Sequence, residues 1–189
     1  GSLAKERLVK VLAGQAEAWG FAPITLDARV KWLPAGASLP LDMAAAACAD
    51  VWAIAPYFGG GITNATAVGD VLAQCLEDIN PADPTAKTQW GTFVGIPGSV
   101  ATQRKLAEDR GLKLVAYEGG SHLRSDNATM DAMFRSANRN PVMQGIYEEY
   151  YKMWVRESGD GVFCHYSHID APSRSGSWGY MADMNDRNA

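Results

Sequence analysis

The stretch Leu112–His122, with the sequence LKLVAYEGGSH, decides the fold that the sequence predicts. Its first half is an apolar run between Gly111 and the pair Gly119–Gly120. An apolar run bounded by glycines is typical of a buried strand that ends abruptly. Glu118 lies at the carboxyl end of this strand, where a carboxylate costs free energy unless it is paired or hydrogen-bonded. Since ligands of α/β proteins bind at the carboxyl ends of parallel strands, Glu118 is either a site residue or an ion-paired rim residue.

Strands and helices alternate along the rest of the chain. The four predicted strands lie near residues 8–14, 51–58, 112–117 and 161–166. Apolar residues at helical spacing predict helices over 66–79, from 99 or 102 to 111, over 128–137 and over 141–158, with a shorter helix over 43–49. This alternation favours an α/β fold with a parallel sheet. We expect one domain over residues 1–189, because no interdomain linker or short repeat interrupts the pattern.

Composition and charge narrow the possible classes of protein. The 189 residues are 47% hydrophobic and 20% charged, which is ordinary for a globular domain with a sizeable core. The net charge is −4 and no basic block occurs, so the sequence favours neither nucleic acid nor an anionic membrane surface as a partner. No apolar run approaches the roughly 20 residues of a membrane span. The distant cysteines Cys48, Cys75 and Cys164 predict buried free thiols.

Polar or aromatic residues follow every predicted strand. They are Gln15, Tyr57 with Phe58, Glu118 with His122, and His165 with Tyr166. Because the carboxyl ends of parallel strands share one rim, we expect these groups to converge on one concave site. Trp178 lies between Gly176 and Gly179 in the last loop, where it has little core to join, so stacking on a ligand and packing within the loop are both open. Aromatic residues in the long helix after Pro141 are spaced as core residues.

Metal and phosphate sites are weakly indicated. His122, His165 and His168 could join Glu118 around a metal ion, but no two of them stand four residues apart on a predicted helix. The Gly59–Gly61 run lacks the following Lys and Ser or Thr of a phosphate loop. We therefore predict no metal and no cofactor.

Six motifs occur in a fixed order along the chain. They are VLAGQA at 11–16, WAIAPYFGGG at 52–61, VAYEGGSHL at 115–123, NPVMQGIYEEYYKMW at 140–154, HYS at 165–167 and GSWGY at 176–180. Together they resemble the C-terminal half of a (β/α)8 barrel of the clan-A retaining glycoside hydrolases, as found in secreted bacterial polysaccharide-associated proteins sometimes described as cellulose-binding. The resemblance covers nearly the whole chain.

The resemblance implies a role for Glu118. In clan-A enzymes the nucleophilic Glu ends the seventh barrel strand, which would be the strand of Glu118, and the acid/base Glu follows an Asn at the end of the fourth. This sequence has no Asn–Glu pair, and a complete barrel needs about 250 residues. Glu17 and Asp170 are the substitutes to weigh, although both are more typical of solvated positions. The resemblance thus implies a TIM-barrel-like half domain, part of a larger protein, with one of the two carboxylates.

The sequence as a whole predicts a glycoside-hydrolase-like domain that acts on or binds an oligo- or polysaccharide. Glu118 is the expected nucleophile, with Gln15, Tyr57, His122, His165 and Trp178 lining the substrate cleft. The alternative is a non-catalytic glycan-binding or self-assembling half-barrel, which would pair with a second copy or with a missing N-terminal half. A free-standing flavodoxin-like domain is less favoured, for want of a phosphate loop. From the resemblance alone we expect an extracellular or periplasmic location.

Overall fold

The computed structural model describes residues 8–16, 19–30, 43–89, 91–173 and 175–186. Its strands are β1 (Val11–Ala13), β2 (Arg29–Val30), β3 (Met43–Ala44), β4 (Val51–Ile54) and β5 (Lys113–Ala116). Its α-helices are α1 (Ala22–Leu26), α2 (Val68–Ile79), α3 (Ile96–Glu108), α4 (Ala128–Asn138) and α5 (Val142–Ser158). Short 3₁₀ helices span Trp19–Phe21 and Ala45–Cys48. The described part of the chain is therefore a mixed helix and strand fold.

The main sheet is parallel and has the strand order β1-β4-β5. Val51 of β4 lies between Val11 of β1 and Lys113 of β5, and the register continues along all three strands. The prediction of parallel strands that neighbour one another in chain order is confirmed for these three. β2 and β3 form a separate antiparallel pair that the sequence did not indicate.

The fourth predicted strand is reduced to one parallel bridge, between Phe163 and Ala116. Ala116 donates to Val162 O at 2.8 Å and accepts from Cys164 N at 3.0 Å, as in a regular parallel pair. The next bond, from Tyr166 N, goes to Gly119 O at 2.9 Å, although regular register would place it at residue 118. The prediction of a full strand over 161–166 is therefore wrong, because the pairing slips by one residue where β5 ends.

Helices cover one face of the sheet. Trp52 and Leu114 are neighbours on this face and are fully buried in the core. The helices α2, α3 and α5 pack on one another, and α3 also packs on β5. This layered arrangement is that of a partial α/β fold with a three-stranded open sheet, in which the helices bury one side of β4 and β5 and partly cover Leu12 of β1.

The opposite face of the sheet, which we call the open face, is exposed at its margins. Val11 on β1 is 58% exposed, Val162, beside β5, is 68% exposed, and Tyr117, which follows β5, is 42% exposed. At its centre, Val51 and Ala53 of β4 are buried. Cys164 lies on the same side as Val162 because both flank the inward-facing Phe163. The expected burial of the thiols is therefore wrong for Cys164, which is an exposed free thiol, and Cys75 alone is fully buried.

Two helix predictions change in detail. The segment 43–49 forms β3 and a 3₁₀ turn instead of one α-helix, because Ala45 N donates to Ala28 O at 2.8 Å and so pairs with the β2 segment. Asp42, whose side chain the sequence predicts as the N-cap of a helix over 43–49, lies outside the described residues. Helix α3 begins three residues before Ser99, since Pro97 stands in its first turn, where a missing N–H costs nothing. Within the described residues, no helix has the length and apolarity that crossing a membrane requires.

Candidate active site

The loops that follow β4 and β5 are joined by their backbones. Phe58 N donates to Gly120 O at 3.0 Å, and His122 N donates to Phe58 O at 2.6 Å. This pairing extends the parallel order of the two strands beyond their ends. It brings the rings of Tyr57 and His122 to 5.6 Å between centroids.

The two glycines after Glu118 allow the chain to pass close to its neighbours. A Cβ atom on Gly119 would lie 2.7 Å from the Phe163 ring and 2.8 Å from the Tyr150 hydroxyl. Gly120 has φ +148°, and a Cβ atom there would lie 2.9 Å from His165. Only glycine therefore fits at these two positions, where the chain that follows β5 passes close to the rings of Phe163, Tyr150 and His165.

Four rings form a cluster at this rim, which we call the rim cluster: Tyr57, His122, Tyr166 and Trp178. Trp178 stacks on His122 with centroids 5.1 Å apart and an interplanar angle of 27°. The Trp178 ring also lies edge-on to two others, with its centroid 5.6 Å from that of Tyr57 and 6.3 Å from that of Tyr166. Since Trp178 is only half-buried and Tyr166 is 46% exposed, part of the cluster faces solvent.

The loop that carries Trp178 is attached to the body of the protein. Ser167 N donates to Trp178 O at 2.9 Å, which pairs the two halves of the last loop. Asn138, at the end of α4, donates to Ser177 O at 3.1 Å and accepts from Ser121 Oγ at 3.2 Å. Asn138 thus joins the residue before His122 to the residue before Trp178. The side-chain amide of Asn138 therefore links the two loops that carry the stacked rings.

Glu118 lies half-buried beside two tyrosines. Burial, followed by the negative charge of Glu118 and a hydrogen bond to it, raises the pKa of Tyr57 well above its usual range. Burial and the same carboxylate raise the pKa of Tyr117. Both phenols therefore stay protonated at neutral pH. The Glu118 carboxylate lies near enough to the Tyr57 hydroxyl of the rim cluster to disfavour its ionisation.

A layer of tyrosines from α5 supports the rim from below. Tyr150 is fully buried and donates to Pro56 O at 2.5 Å, at the end of β4. Tyr147 accepts from Ser121 N at 3.1 Å through its hydroxyl oxygen. The prediction that the helix aromatics are core residues is confirmed for Tyr150 and Trp154, which are buried. These tyrosines also fix the strand ends, a role that their spacing alone did not indicate.

His165 belongs to this supporting layer. Its ring stacks on Tyr180 at 3.8 Å, and its Nδ1 lies 3.1 Å from the Tyr151 hydroxyl. Tyr151 and Tyr180 share a hydrogen bond between their hydroxyls. Burial lowers the pKa of His165 to about 4, against a smaller opposite effect of the Ser167 and Trp178 backbone. The structure places His165 beneath the rim cluster as a neutral ring, and Tyr180 with it.

Gln15 lies at the end of β1, beside a different cavity. Its carbonyl oxygen accepts from Gln103 Nε2 at 2.9 Å, and Gln103 Oε1 accepts from Trp52 Nε1 at 2.8 Å. The Gln15 side chain is exposed and lines a cavity of about 230 Å³ together with Thr25. The structure therefore brings Tyr57, Glu118, His122 and Trp178 together and places Gln15 at a neighbouring position.

A cleft adjoins the rim cluster and shares Tyr57 and His122 with it. Its volume is about 680 Å³, and its other walls come from the Gly59–Gly61 turn, helix α2, Thr88 and the segment 92–96. The residues of α2 that line it are Gln74, Glu77 and Asp78. Sequence reasoning missed this cleft and also Asn138. No local signal identifies either, because both depend on how segments distant in sequence pack together.

The described residues give no sign of a metal centre. Among them, no three His, Cys, Asp or Glu side chains lie close enough to hold one ion. His168 is exposed in the last loop. What the arrangement offers chemically is a carboxylate, a phenol donor and a partly exposed stack of aromatic rings.

A comparison with protein-family models, with curated proteins and with solved structures found no match for the chain.

Proposed function

We propose that the chain is a glycoside-hydrolase-like domain that binds an oligo- or polysaccharide at the rim cluster, with Glu118 at the reacting end of the site. The observation that carries the proposal is the partly exposed stack of Trp178 on His122 beside Tyr57, at the rim where Glu118 follows β5. A sugar ring has an apolar face of C–H groups and a polar edge of hydroxyls. Partly exposed aromatic rings suit the face, and a carboxylate with a phenol suits the edge.

Glu118 is the proposed nucleophile of a retaining mechanism. Such a mechanism places a second carboxyl group about 5–5.5 Å from the nucleophile, so that it can protonate the leaving oxygen. General acid catalysis of this kind contributes about 10²–10⁴-fold to the rate. The sequence holds no Asn–Glu pair to supply the acid, and Glu17 lies outside the described residues. The chain by itself is therefore proposed to bind glycan and to hydrolyse it slowly or not at all.

Calorimetric titration with cello-, xylo-, manno- and chito-oligosaccharides tests the binding proposal. We expect one of these series to bind, and Trp178→Ala to weaken binding about tenfold or more, because the largest partly exposed ring is lost. Phe21→Ala is the matched control, since Phe21 is an exposed aromatic outside the rim cluster. Equal weakening by both variants, or no binding by the wild type, would contradict the proposal.

Glu118→Gln separates binding from chemistry. The amide keeps the shape of the side chain and removes the negative charge that a nucleophile needs. In the presence of a protein segment that supplies the acid, we expect Glu118→Gln to abolish turnover and to leave glycan affinity within about threefold. Robust hydrolysis by the chain alone would show that Glu17 or Asp170 serves as the acid.

The open face of the sheet favours a second candidate function, a half-barrel module that assembles with a second copy of itself. Val11, Tyr117 and Val162 expose apolar surface at the margins of the face that would form the interior of a closed barrel. Two copies would offer the same patch to each other, as in an isologous dimer. Light scattering at micromolar concentration should then give twice the mass of the chain. If the chain alone is a monomer but forms a complex when an N-terminal half-barrel is added, that half and not a second copy is the partner.

A further inference from the structure

The 680 Å³ cleft is continuous with the rim cluster, since Tyr57 and His122 belong to both. Its size lies within the range of small-molecule sites. A ligand that stacks on Trp178 therefore has a path past these two rings into an adjoining space. The rim cluster alone would hold one end of a longer molecule.

One wall of the cleft is a loop with its own backbone pairing. Lys87 and Phe93 form an antiparallel bridge, and Val94 N donates to Ala86 O at 2.9 Å. Within this loop, Thr88 N donates to Thr92 O at 2.7 Å. Phe93 is held further, because a Cβ atom on Gly98 would lie only 2.3 Å from its ring. The wall is thus shaped by hydrogen bonds and packing.

The opposite wall is polar. Gln74 and Glu77 lie three residues apart on α2 and therefore share one face of the helix. Asp78 lines the cleft as well, but its carboxylate accepts from Gly59 N at 2.7 Å and so holds the turn. The lining includes the hydroxyls of Thr88 and Thr92 and the ring of Phe93, and among the residues that the structure describes no Lys or Arg lines the cleft.

We infer that the cleft is a second saccharide subsite, which takes the next units of an uncharged polysaccharide chain whose first unit stacks on the rim cluster. This inference rests on the proposed function and adds to it the length and the charge of the ligand. Amide, carboxylate and hydroxyl groups from two walls match the many hydroxyls of a sugar, and Phe93 and Tyr57 supply apolar surface. The carboxylates of Glu77 and Asp78 repel uronic acids and sulfated sugars.

The test compares ligand lengths in the full chain. The probes are a disaccharide and a hexasaccharide of the neutral series that binds, titrated into wild type and into the double variant Gln74→Ala with Glu77→Ala. We expect the wild type to bind the hexasaccharide about tenfold more tightly than the disaccharide, which corresponds to one or two additional hydrogen bonds. The double variant should bring this ratio to about two and leave disaccharide affinity unchanged. Alanine suits a helix, so α2 is preserved.

The matched control is Gln144→Ala with Glu148→Ala. These residues are of the same two types, are exposed on α5, and do not line the cleft. The control should keep the tenfold ratio. Equal affinity of wild type for both lengths, together with loss of binding in Trp178→Ala, would overturn the subsite and leave the proposed function standing. Failure of every glycan to bind would overturn both.

A third probe tests the charge of the ligand. A hexamer of uronic acid units should bind at least about fivefold more weakly than the neutral hexamer at low salt. Glu77→Gln should reduce the ratio of the two dissociation constants by about twofold, because one negative charge is removed from the cleft. An acidic hexamer that binds as tightly as the neutral one would overturn the assignment to uncharged chains.

Discussion

The two faces of the sheet are built from similar residues but have different environments. On one face Trp52 and Leu114 are buried beneath the helices. On the other, Val51 and Ala53 at the centre are buried, but Val11 and Val162 at the margins are more than half exposed. The apolar character of a strand residue therefore does not reveal whether helices cover it. What distinguishes the faces is the crossover helices, which in right-handed parallel connections all lie on one side. We therefore expect substitutions on the covered face to cost more folding free energy than those at the margins of the open face, whose exposed residues are available for contacts with another chain.

Trp52→Ala should have the largest effect on this comparison. Trp52 is fully buried, and its indole N–H donates to the buried Gln103 side chain. Removing a buried Trp costs about 3–5 kcal/mol of folding free energy, because a cavity and an unpaired amide oxygen remain. Urea unfolding measures the loss. Val11→Ala, on the open face, is the control and should cost no more than about 0.5 kcal/mol.

If Trp52→Ala does not fold, Trp52→Phe keeps most of the ring and allows the comparison. It should still cost more than Val11→Ala, since the hydrogen bond to Gln103 is lost. Equal costs at the two positions would mean that the helices do not protect one face of the sheet.

Tyr150→Phe tests how the covered face supports the rim. The Tyr150 hydroxyl donates to Pro56 O in a fully buried position, and its loss leaves that carbonyl unpaired. We expect a loss of about 1–3 kcal/mol in urea unfolding. Tyr166→Phe is the control, because the Tyr166 side chain is nearly half exposed. A loss of less than about 0.5 kcal/mol for Tyr150→Phe would show that α5 does not fix the end of β4.

The two central strands, the meeting of Tyr57 with His122 and the burial of Tyr150 were predictable from the sequence. The apolar runs around Trp52 and Leu114, each followed by consecutive glycines, identified two neighbouring parallel strands and placed Glu118 at the end of one. The same pairing explains why Tyr57 and His122 could be predicted to meet: each follows a strand that ends at the same rim. Tyr150 was correctly expected in the core, because its position on α5 repeats with Ile146 and Met153 on one apolar face.

Other parts depend on tertiary contacts that local patterns do not contain. The slip of register at Gly119 ends the pairing of the fourth predicted strand, yet an apolar run cannot reveal a slip in its partner. The exposure of Cys164 follows from the missing cover on the open face. His165 was expected in the substrate cleft, but its ring is held beneath the rim by Tyr151 and Tyr180, which come from two other segments.

The pH dependence of stability tests the covered position of His165. Its pKa is lowered to about 4 by burial, whereas an unfolded chain has about 6.5. The unfolded state therefore binds more protons between these values, so stability is full above pH 6.5 and is lost as pH falls toward 4. For this half-buried ring we expect a loss of about 1–2 kcal/mol after screening by solvent. His165→Gln should remove this part of the pH dependence, whereas His168→Gln, at an exposed position, should not.

The smallest effect on stability is expected for substitutions on the open face. They test whether this face is exposed to solvent or forms an interface with a second copy. Val11→Thr with Val162→Thr keeps the branched shape that suits an extended chain and replaces one methyl group of each side chain with a hydroxyl. Because both residues are largely exposed, the folding free energy of a monomer should change by no more than about 0.5 kcal/mol. If a second copy covers this face, the same pair of substitutions buries two unpaired hydroxyls at the interface, and the dimer dissociation constant should rise about tenfold or more. Sedimentation equilibrium of wild type and variant measures this rise. An unchanged dissociation constant, or a wild type that is monomeric at every concentration, would show that a second copy does not cover the open face.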